Sequence, residues 1–381
     1  MGSASKRYGL YSGGHAVFSA HFEKDNSVHL VVYSDQPENR EPVSEAGYER
    51  ASSIFFEEAL KRGVISAGAV ELIAVRIVAP GEFFRTHCEI DEEYIKKLQA
   101  ASEFVALHAN PTLKEISVLK ELFPGVRFIG ISDSFFHKDM PILASRYAIP
   151  EVDADRYGIY RYGYHGISIS SVVRRLSGQE GGVPKRTIVC HLGSGSSITA
   201  IKDGVSVDTS MGFSPLEGVP MGTRVGSIDI GAALFLGKER GLSEEELMGY
   251  FSKQSGLLAL SGKSSYIYEL LSLEREGDSK AKNAIDSFAY SIKKYIGAYM
   301  AVLGGVDAVV FTGTAGERSP VIRERVLEGL QGIGIKISPE ENLRHTGSTE
   351  GNINVPDSVI AVKVMLSDEM MEMALLADNV C

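Results

Sequence analysis

Two arginines, two glycine-rich turns and one strand-end aspartate are the groups in this chain best suited to handling a phosphate. The first turn is the tip of a hairpin. An apolar β-type run, Thr187-Ile188-Val189-Cys190, delivers His191-Leu192-Gly193-Ser194-Gly195-Ser196-Ser197, and Ile198-Thr199-Ala200-Ile201 reads as the returning strand. Small residues at such a tip allow backbone N–H groups to face an anion. Further along, Arg224 sits in Met221-Gly222-Thr223-Arg224-Val225-Gly226, a stretch without helical periodicity, so its side chain can reach into a cleft. The second turn, Thr312-Gly313-Thr314-Ala315-Gly316, follows an apolar strand over 306–311 and precedes a helix over 321–329. That order of elements aims a helix N-terminus at phosphate or adenosine. Arg76 lies in the apolar run 71–78, read as a buried strand. A guanidinium there must be paired or aimed at a ligand, because burying it alone is prohibitive. Asp133 ends a short strand over 128–133, where a carboxylate can hold a metal or a nucleophile in an α/β fold.

The elements that must position these groups are legible in outline. With 381 residues, 44% hydrophobic and 23% charged, the chain is long enough for two domains with a core each. A net charge of −10 argues against nucleic acid or an anionic membrane as partner, so a phosphate site has to be a local basic pocket. The longest apolar runs, such as 298–311, contain Gly or Asp and fall short of the ~20 residues of a membrane span. The first six residues lack the apolar core of a signal peptide. Cys88, Cys190 and Cys381 are odd in number and widely spaced, which suits reduced thiols in a cytoplasm. Strands are expected over 7–11, 16–22 and 28–33, the first two joined by the Ser12-Gly13-Gly14 turn. Helices are expected over 45–61, 91–104, 169–176 and 281–302, with a turn at Val105-Ala106-Leu107-His108-Ala109-Asn110-Pro111. Pro150 and the polar run 151–156 mark a domain boundary, and a last strand over 359–365 precedes a C-terminal helix.

Residues 191–229, HLGSGSSITAIKDGVSVDTSMGFSPLEGVPMGTRVGSID, resemble the central signature of the acetate kinase family of acetate, propionate and butyrate kinases. Further matches are Arg161-Tyr162-Gly163-Tyr164-His165-Gly166-Ile167-Ser168 and Gly256-Leu257-Leu258-Ala259-Leu260-Ser261-Gly262, and the likeness extends over about 70–380. The family belongs to the actin, sugar kinase and Hsp70 superfamily. The resemblance therefore implies an α/β fold of two domains, mixed sheets flanked by helices, with a cleft between them. Residues 1–150 with 367–381 would form the acceptor-side domain, and 151–366 the nucleotide-side and dimer domain. It implies reversible phosphoryl transfer from ATP to acetate or a similar short acid, with Mg2+, in a cytoplasmic homodimer paired through its C-terminal domain. Arg76, Arg224, His165, Asp133 and His108 would be the catalytic groups, and Asp133 and Glu369 the metal ligands. Val78, Leu107, Tyr164 and Pro215 would line the acyl pocket. Gly13, His191, Gly193, Ser194, Gly195, Gly313, Thr314, Ala315 and Gly316 would face the nucleotide.

The likeness is uneven. The family's first phosphate loop reads Asn-x-Gly-Ser-Ser-Ser-x-x-Lys, where this chain has Tyr11-Ser12-Gly13-Gly14-His15-Ala16-Val17-Phe18, which also reads as an ordinary hairpin turn. Ser194 replaces an Asn, Tyr266 and Tyr268 replace an acid and an Arg, Thr314 replaces a Gly, and Arg318 replaces an Asn that faces adenosine. Tyr164 replaces a Phe and adds a hydroxyl. The acceptor half is thus kept and the donor half eroded. Three readings follow: an ATP-dependent short-chain carboxylate kinase, the same fold with another donor such as pyrophosphate, and a catalytically impaired regulatory paralogue.

Overall fold

The computed structural model describes residues 5–25, 28–35, 39–66 and 68–380, with the backbone alone described at 24–25, 28 and 103–108. It divides into two compact units, one of 1–135 with 368–381 and one of 136–367.

The first unit holds two sheets. Strands β1 (Ser5–Ser12), β2 (His15–Asp25), β3 (Val28–Tyr33) and β4 (Glu41–Val43) form an antiparallel meander. Alternation along β2 turns Phe18, Ala20 and Phe22 to one face, where they meet Val31, Tyr33, Ala51, Phe55 and Ala59. The expected helix over 45–61 is broken at Arg50 into Glu45–Glu49 and Ala51–Lys61. The second sheet places β5 (Leu72–Ile77), β6 (Cys88–Glu89) and β7 (Arg127–Ser132) in the order β5-β7-β6, with β5 and β7 parallel. Only Ile77 of β5 is buried outright, so the strand is half-covered rather than the buried strand its apolar run suggested. Its connection to β7 includes a helix, Glu92–Leu122, that runs straight through Pro111 instead of ending near residue 104. Proline in a helix interior costs ~3 kcal/mol. Here one apolar face, Tyr94, Leu98, Ala109 and Ile116, packs into the core of this sheet and offsets it. The helix Glu369–Ala377 packs on β1, β5 and β7.

The second unit is built on one mixed sheet. Its strands are β8 (Arg186–Leu192), β9 (Ser196–Lys202), β10 (Val205–Thr209), β11 (Ala308–Thr312), β12 (Gly351–Asn352) and β13 (Ala361–Val364). The order is β10-β9-β8-β11-β13-β12, with β8, β11 and β13 parallel. Both faces are covered, which is why β8 and β11 read as unbroken apolar runs. Ile188, Cys190, Leu192, Val309 and Phe311 point to one core, while Val189 and Val310 point to the other. The first core is closed by the helix Ser279–Leu303. Its buried stripe, Ala281, Ala284, Ile285, Phe288, Ala289, Ile292, Ile296, Tyr299 and Leu303, keeps helical spacing from the Asp278 N-cap to left-handed Gly304. The second core receives Ile169, Val172 and Leu176 of the helix Gly166–Ser177. The polar run over 151–156 lies in a helix, Glu151–Tyr157.

Candidate active site

In the second unit the β8–β9 hairpin folds as its sequence suggests, and polar side chains gather around its tip. Gly193 donates to the carbonyl of Gly195 at 3.0 Å, closing the turn. Two histidines stack at its base, His165 and His191, with ring centroids 4.2 Å apart. Each has a serine on its Nδ1: Ser197 Oγ lies 3.0 Å from His165, and Ser168 Oγ lies 2.8 Å from His191. His165 is the N-cap of the helix Gly166–Ser177 and holds a left-handed backbone at φ 61°. That conformation is costly for a residue with a Cβ, and strain of this kind gathers at functional positions.

Arg224 arrives from the other side. Its loop is fixed through the backbone: Leu257 and Leu258 donate to the carbonyls of Met221 and Gly222, both at 2.9 Å. Gly222 in turn donates to the Ser194 carbonyl at 3.3 Å and braces the hairpin tip. The guanidinium is buried, and its Nη1 donates to the Pro215 carbonyl at 3.3 Å. A Cβ added to Gly195 would lie 3.1 Å from His165 Nε2 and 3.3 Å from Arg224 Nη1. The histidine and the arginine therefore converge on one point above the Gly195 backbone, which stays open because residue 195 has no side chain.

The first unit brings together Arg76, Asp133 and Glu369. Arg76 forms a two-pronged pair with Asp133, Nε to Oδ1 at 3.1 Å and Nη2 to Oδ2 at 2.9 Å. Its Nη1 lies 3.6 Å from Glu369 Oε2. Burial works against the charge on Arg76, but the attraction of Asp133 and then Glu369 outweighs it, and the guanidinium pKa is raised. Of the two fates open to this arginine, pairing is therefore observed. Asp133 is held by its strand: its N–H donates to the Ile77 carbonyl at 2.9 Å, and the preceding Ser132 N–H donates to His87 Nδ1 at 3.0 Å. Among the described residues no group of three or more His, Cys, Asp or Glu could hold a metal. Asp133 and Glu369 nonetheless offer two hard carboxylates on one guanidinium. Mg2+ is commonly held by one or two carboxylates, with water and substrate phosphates completing its shell.

The second glycine-rich segment is helical rather than a free turn, because the helix Gly313–Arg318 starts directly at the end of β11. Glu317, which the sequence did not single out, is its anchor. Its Oε1 accepts from Gly313 N at 3.0 Å, Thr312 Oγ1 at 3.3 Å, and Ser367 N and Oγ, both at 2.9 Å. Arg323 holds the far end of the same helix. Its Nη1 donates to the carbonyls of Gly316 at 2.8 Å and Glu317 at 3.1 Å, and its Nη2 to those of Asn342 and His345, both at 2.7 Å. Nε donates to Asn342 Oδ1 at 2.8 Å, so all five N–H groups are used. All five acceptors are neutral. Burial lowers the Arg323 pKa to about 10, which leaves the group charged at neutral pH.

The remaining expected residues are dispersed. Val78, Tyr164 and Pro215 are buried, and the Tyr164 hydroxyl donates to the Phe213 carbonyl at 2.6 Å. The side chains of Leu107 and His108 lie outside the described residues, on a helical backbone where a turn had been expected. Gly13 and Gly14, at φ 56° and 75°, form a two-residue hairpin turn in which Ser12 pairs with His15. Phe18 stacks between Tyr33 and Phe55 in the meander core. Ser194 and Thr314 are exposed, whereas Ala315 and Gly316 are buried. Arg318 is also exposed and lies along Gly347, where an added Cβ would come within 2.5 Å of its Cγ. Tyr268 is exposed and bonds Glu269.

A family model described as the acetokinase family matches residues 2–375. The chain belongs to that family. Acetate kinases among its relatives include that of Methanosarcina mazei, 41% identical over 322 residues, which are 84% of this chain and 78% of that protein. The acetate kinase of Oceanobacillus iheyensis is 37% identical over 342 residues, 89% of this chain and 85% of that protein. Among solved structures, the Porphyromonas gingivalis acetate kinase matches with a TM-score of 0.85 at 32% identity, covering 100% of this chain and 97% of its own. A Francisella tularensis propionate kinase matches with a TM-score of 0.89 at 29% identity, covering 100% of this chain and 98% of its own. The mixed α/β fold of this chain is thus that of the acetokinase family, of the actin and sugar-kinase type.

Proposed function

We propose that this protein is a short-chain carboxylate kinase, which reversibly transfers a phosphoryl group from ATP to acetate or a similar short acid. The observation that carries this reading is the convergence of His165 Nε2 and Arg224 Nη1 on the hairpin tip at Gly195. Phosphoryl transfer asks little covalent chemistry of a protein. It asks for in-line positioning and for positive charge on the equatorial oxygens. An arginine and an imidazole donor at a tip of backbone N–H groups supply both. In this reading Arg76 neutralises the acceptor, Asp133 and Glu369 hold Mg2+, and His108 is a further donor. Asp133 and Glu369 would be the residues that hold Mg2+, which when bound would supply positive charge to offset that developing on the phosphates. Val78, Leu107, Tyr164 and Pro215 form the acyl pocket, while Gly13, His191, Gly193, Ser194 and 313–316 face the nucleotide. A cytoplasmic homodimer paired through the C-terminal domain, and a functional division into 1–150 with 367–381 and 151–366, belong to the same proposal.

The test is an assay of acetate, propionate and butyrate crossed with ATP, GTP and pyrophosphate, together with calorimetry of Mg·ATP. Turnover of a short acid with ATP is expected. Turnover with pyrophosphate alone, or none at all, would overturn the reading. ATP should bind weakly, because Phe18 is committed to the core and supplies no cation, and Ser194 lacks the amide of the family's Asn. Each missing bond to a charged phosphate is worth about 1.5–3 kcal/mol, so two cost roughly two to four decades of affinity. A dissociation constant in the low micromolar range would refute that part.

Alanine at position 195 tests the convergence itself. Its Cβ would crowd His165 Nε2 and Arg224 Nη1, each of which must then give by a few tenths of an ångström. Turnover should fall roughly 10- to 100-fold while the melting temperature barely moves, since small misplacements are expensive in catalysis. Unchanged turnover in the Gly195→Ala enzyme would remove the convergence as the operative feature.

A further inference from the structure

The segment between β10 and the Arg224 loop is held more tightly than an ordinary connection. Gly212 accepts at its carbonyl from the N–H groups of Tyr162 and Gly163, at 3.2 and 3.3 Å. The next residue, Phe213, has both of its backbone polar groups bound by tyrosine hydroxyls. Its N–H donates to Tyr147 Oη at 2.8 Å, and its carbonyl accepts from Tyr164 Oη at 2.6 Å. Tyr147 Oη donates to Glu217 Oε2 at 2.5 Å, and Glu217 Oε1 accepts from Arg161 Nη2 at 2.8 Å. Arg161 is itself fixed on the Ala144 and Thr209 carbonyls, at 3.2 and 3.3 Å. The chain thus runs from Arg161 through Glu217 and Tyr147 to Phe213 and on to Tyr164. There is no slack at its centre: a Cβ on Gly212 would lie 1.8 Å from Glu217 Oε2 and 2.2 Å from Tyr147 Oη. Burial, and then the Glu217 charge, raise the Tyr147 pKa, so its hydroxyl remains a donor.

Pro215 lies two residues beyond this clamp, and its carbonyl receives Arg224 Nη1. We propose that Tyr147 and Tyr164 are positioning residues that fix the Pro215 wall of the acyl pocket and so restrict the enzyme to the shortest carboxylates. The inference rests on the carboxylate kinase reading above. A wall that cannot recede rejects added methylenes by sterics, and one methylene in a tight pocket is worth roughly 10–200-fold in specificity. Removing a hydroxyl while keeping the ring frees the Phe213 backbone without emptying the core.

The experiment measures kcat and KM for acetate, propionate and butyrate with Mg·ATP in the wild type and in Tyr147→Phe, which frees the Phe213 N–H without altering a residue of the pocket lining. Tyr162→Phe is the control for loss of a neighbouring tyrosine hydroxyl, because that hydroxyl donates to the Gly158 carbonyl at 2.6 Å while the ring stays beside Phe213. The wild type should prefer acetate to butyrate in kcat/KM. In Tyr147→Phe that ratio should fall at least about 5-fold, mainly through a lower KM for butyrate, with kcat for acetate within about 3-fold and the control unchanged. A ratio unmoved in a folded, active variant, an equal shift in the control, or a wild type that prefers butyrate would each overturn this inference alone. A wild type that phosphorylates no carboxylate overturns the kinase reading, and this inference with it.

Discussion

Replacing Arg224 with alanine is expected to lower kcat at least ~100-fold while leaving the protein folded, because removal of one preorganised charge from a site of this kind costs about that much. The structure makes the result interpretable. The Arg224 loop is held by backbone bonds from Leu257 and Leu258 besides the guanidinium's bond to the Pro215 carbonyl, so the loop should keep its course when the guanidinium is removed. Lysine should rescue poorly, since an ammonium cannot reproduce the planar fork that meets phosphate oxygens. Steady-state kinetics with a thermal melt of each variant check this, and full activity of the alanine variant would sink the proposed role. Arg76 is a less clean target. Its removal breaks the ion pair with the Asp133 carboxylate, which is almost fully buried, and breaking a buried pair costs about 3–5 kcal/mol of stability. Loss of activity there would mix chemistry with folding.

The largest effect on stability is expected at Arg323. One guanidinium caps the C-terminal ends of two short helices, Gly313–Arg318 and Pro339–Arg344, by taking their last carbonyls together with the Asn342 side chain. Alanine would leave five acceptors without their donor in a place where the arginine itself is wholly buried. Each buried polar group left unsatisfied costs about 1–3 kcal/mol, and water entering the vacated space recovers part of it. A net loss of ~3 kcal/mol or more in a urea titration is therefore expected, with lysine recovering a minority. A loss under ~1 kcal/mol would mean that the two helix ends hold without it.

The sequence showed most clearly what is decided locally. Unbroken apolar runs marked β8 and β11, glycine pairs marked the hairpins, and a 3.6-residue stripe marked the helix Ser279–Leu303. Local signals misled where packing overrode them. Residues 105–111 read as a turn closing a helix at 104, yet the apolar face on either side of Pro111 carries the helix to Leu122. The Gly-rich segment after β11 looked like a turn, yet it is a short helix whose Gly313 N–H and Thr312 hydroxyl are held by the Glu317 carboxylate. The functional residues were found by type and motif, but their partners were not. Arg76 meets Asp133 across 57 residues, Glu317 meets Ser367 across 50, and Tyr147 meets Glu217 across 70. Nothing in the immediate neighbourhood of either partner announces such a pairing. For the same reason the acceptor of the added Tyr164 hydroxyl, the Phe213 carbonyl, became visible only in the fold.

The division of the chain into units also sets an order of events during synthesis. Residues 136–367 are continuous, so that unit can close as soon as its own last strand has left the ribosome. The smaller unit cannot, because the helix Glu369–Ala377 that covers β1, β5 and β7 is made only after the whole of the other unit. The gap from Phe135 to Asp368 is 367 − 135 = 232 residues. At about 5–20 residues per second that is a wait of roughly 12–46 s. During this interval the β5–β7 sheet presents its uncovered face to the cell, although it was translated first. The unit encoded second can therefore complete its core first, while the half that carries Arg76 and Asp133 waits for its last helix.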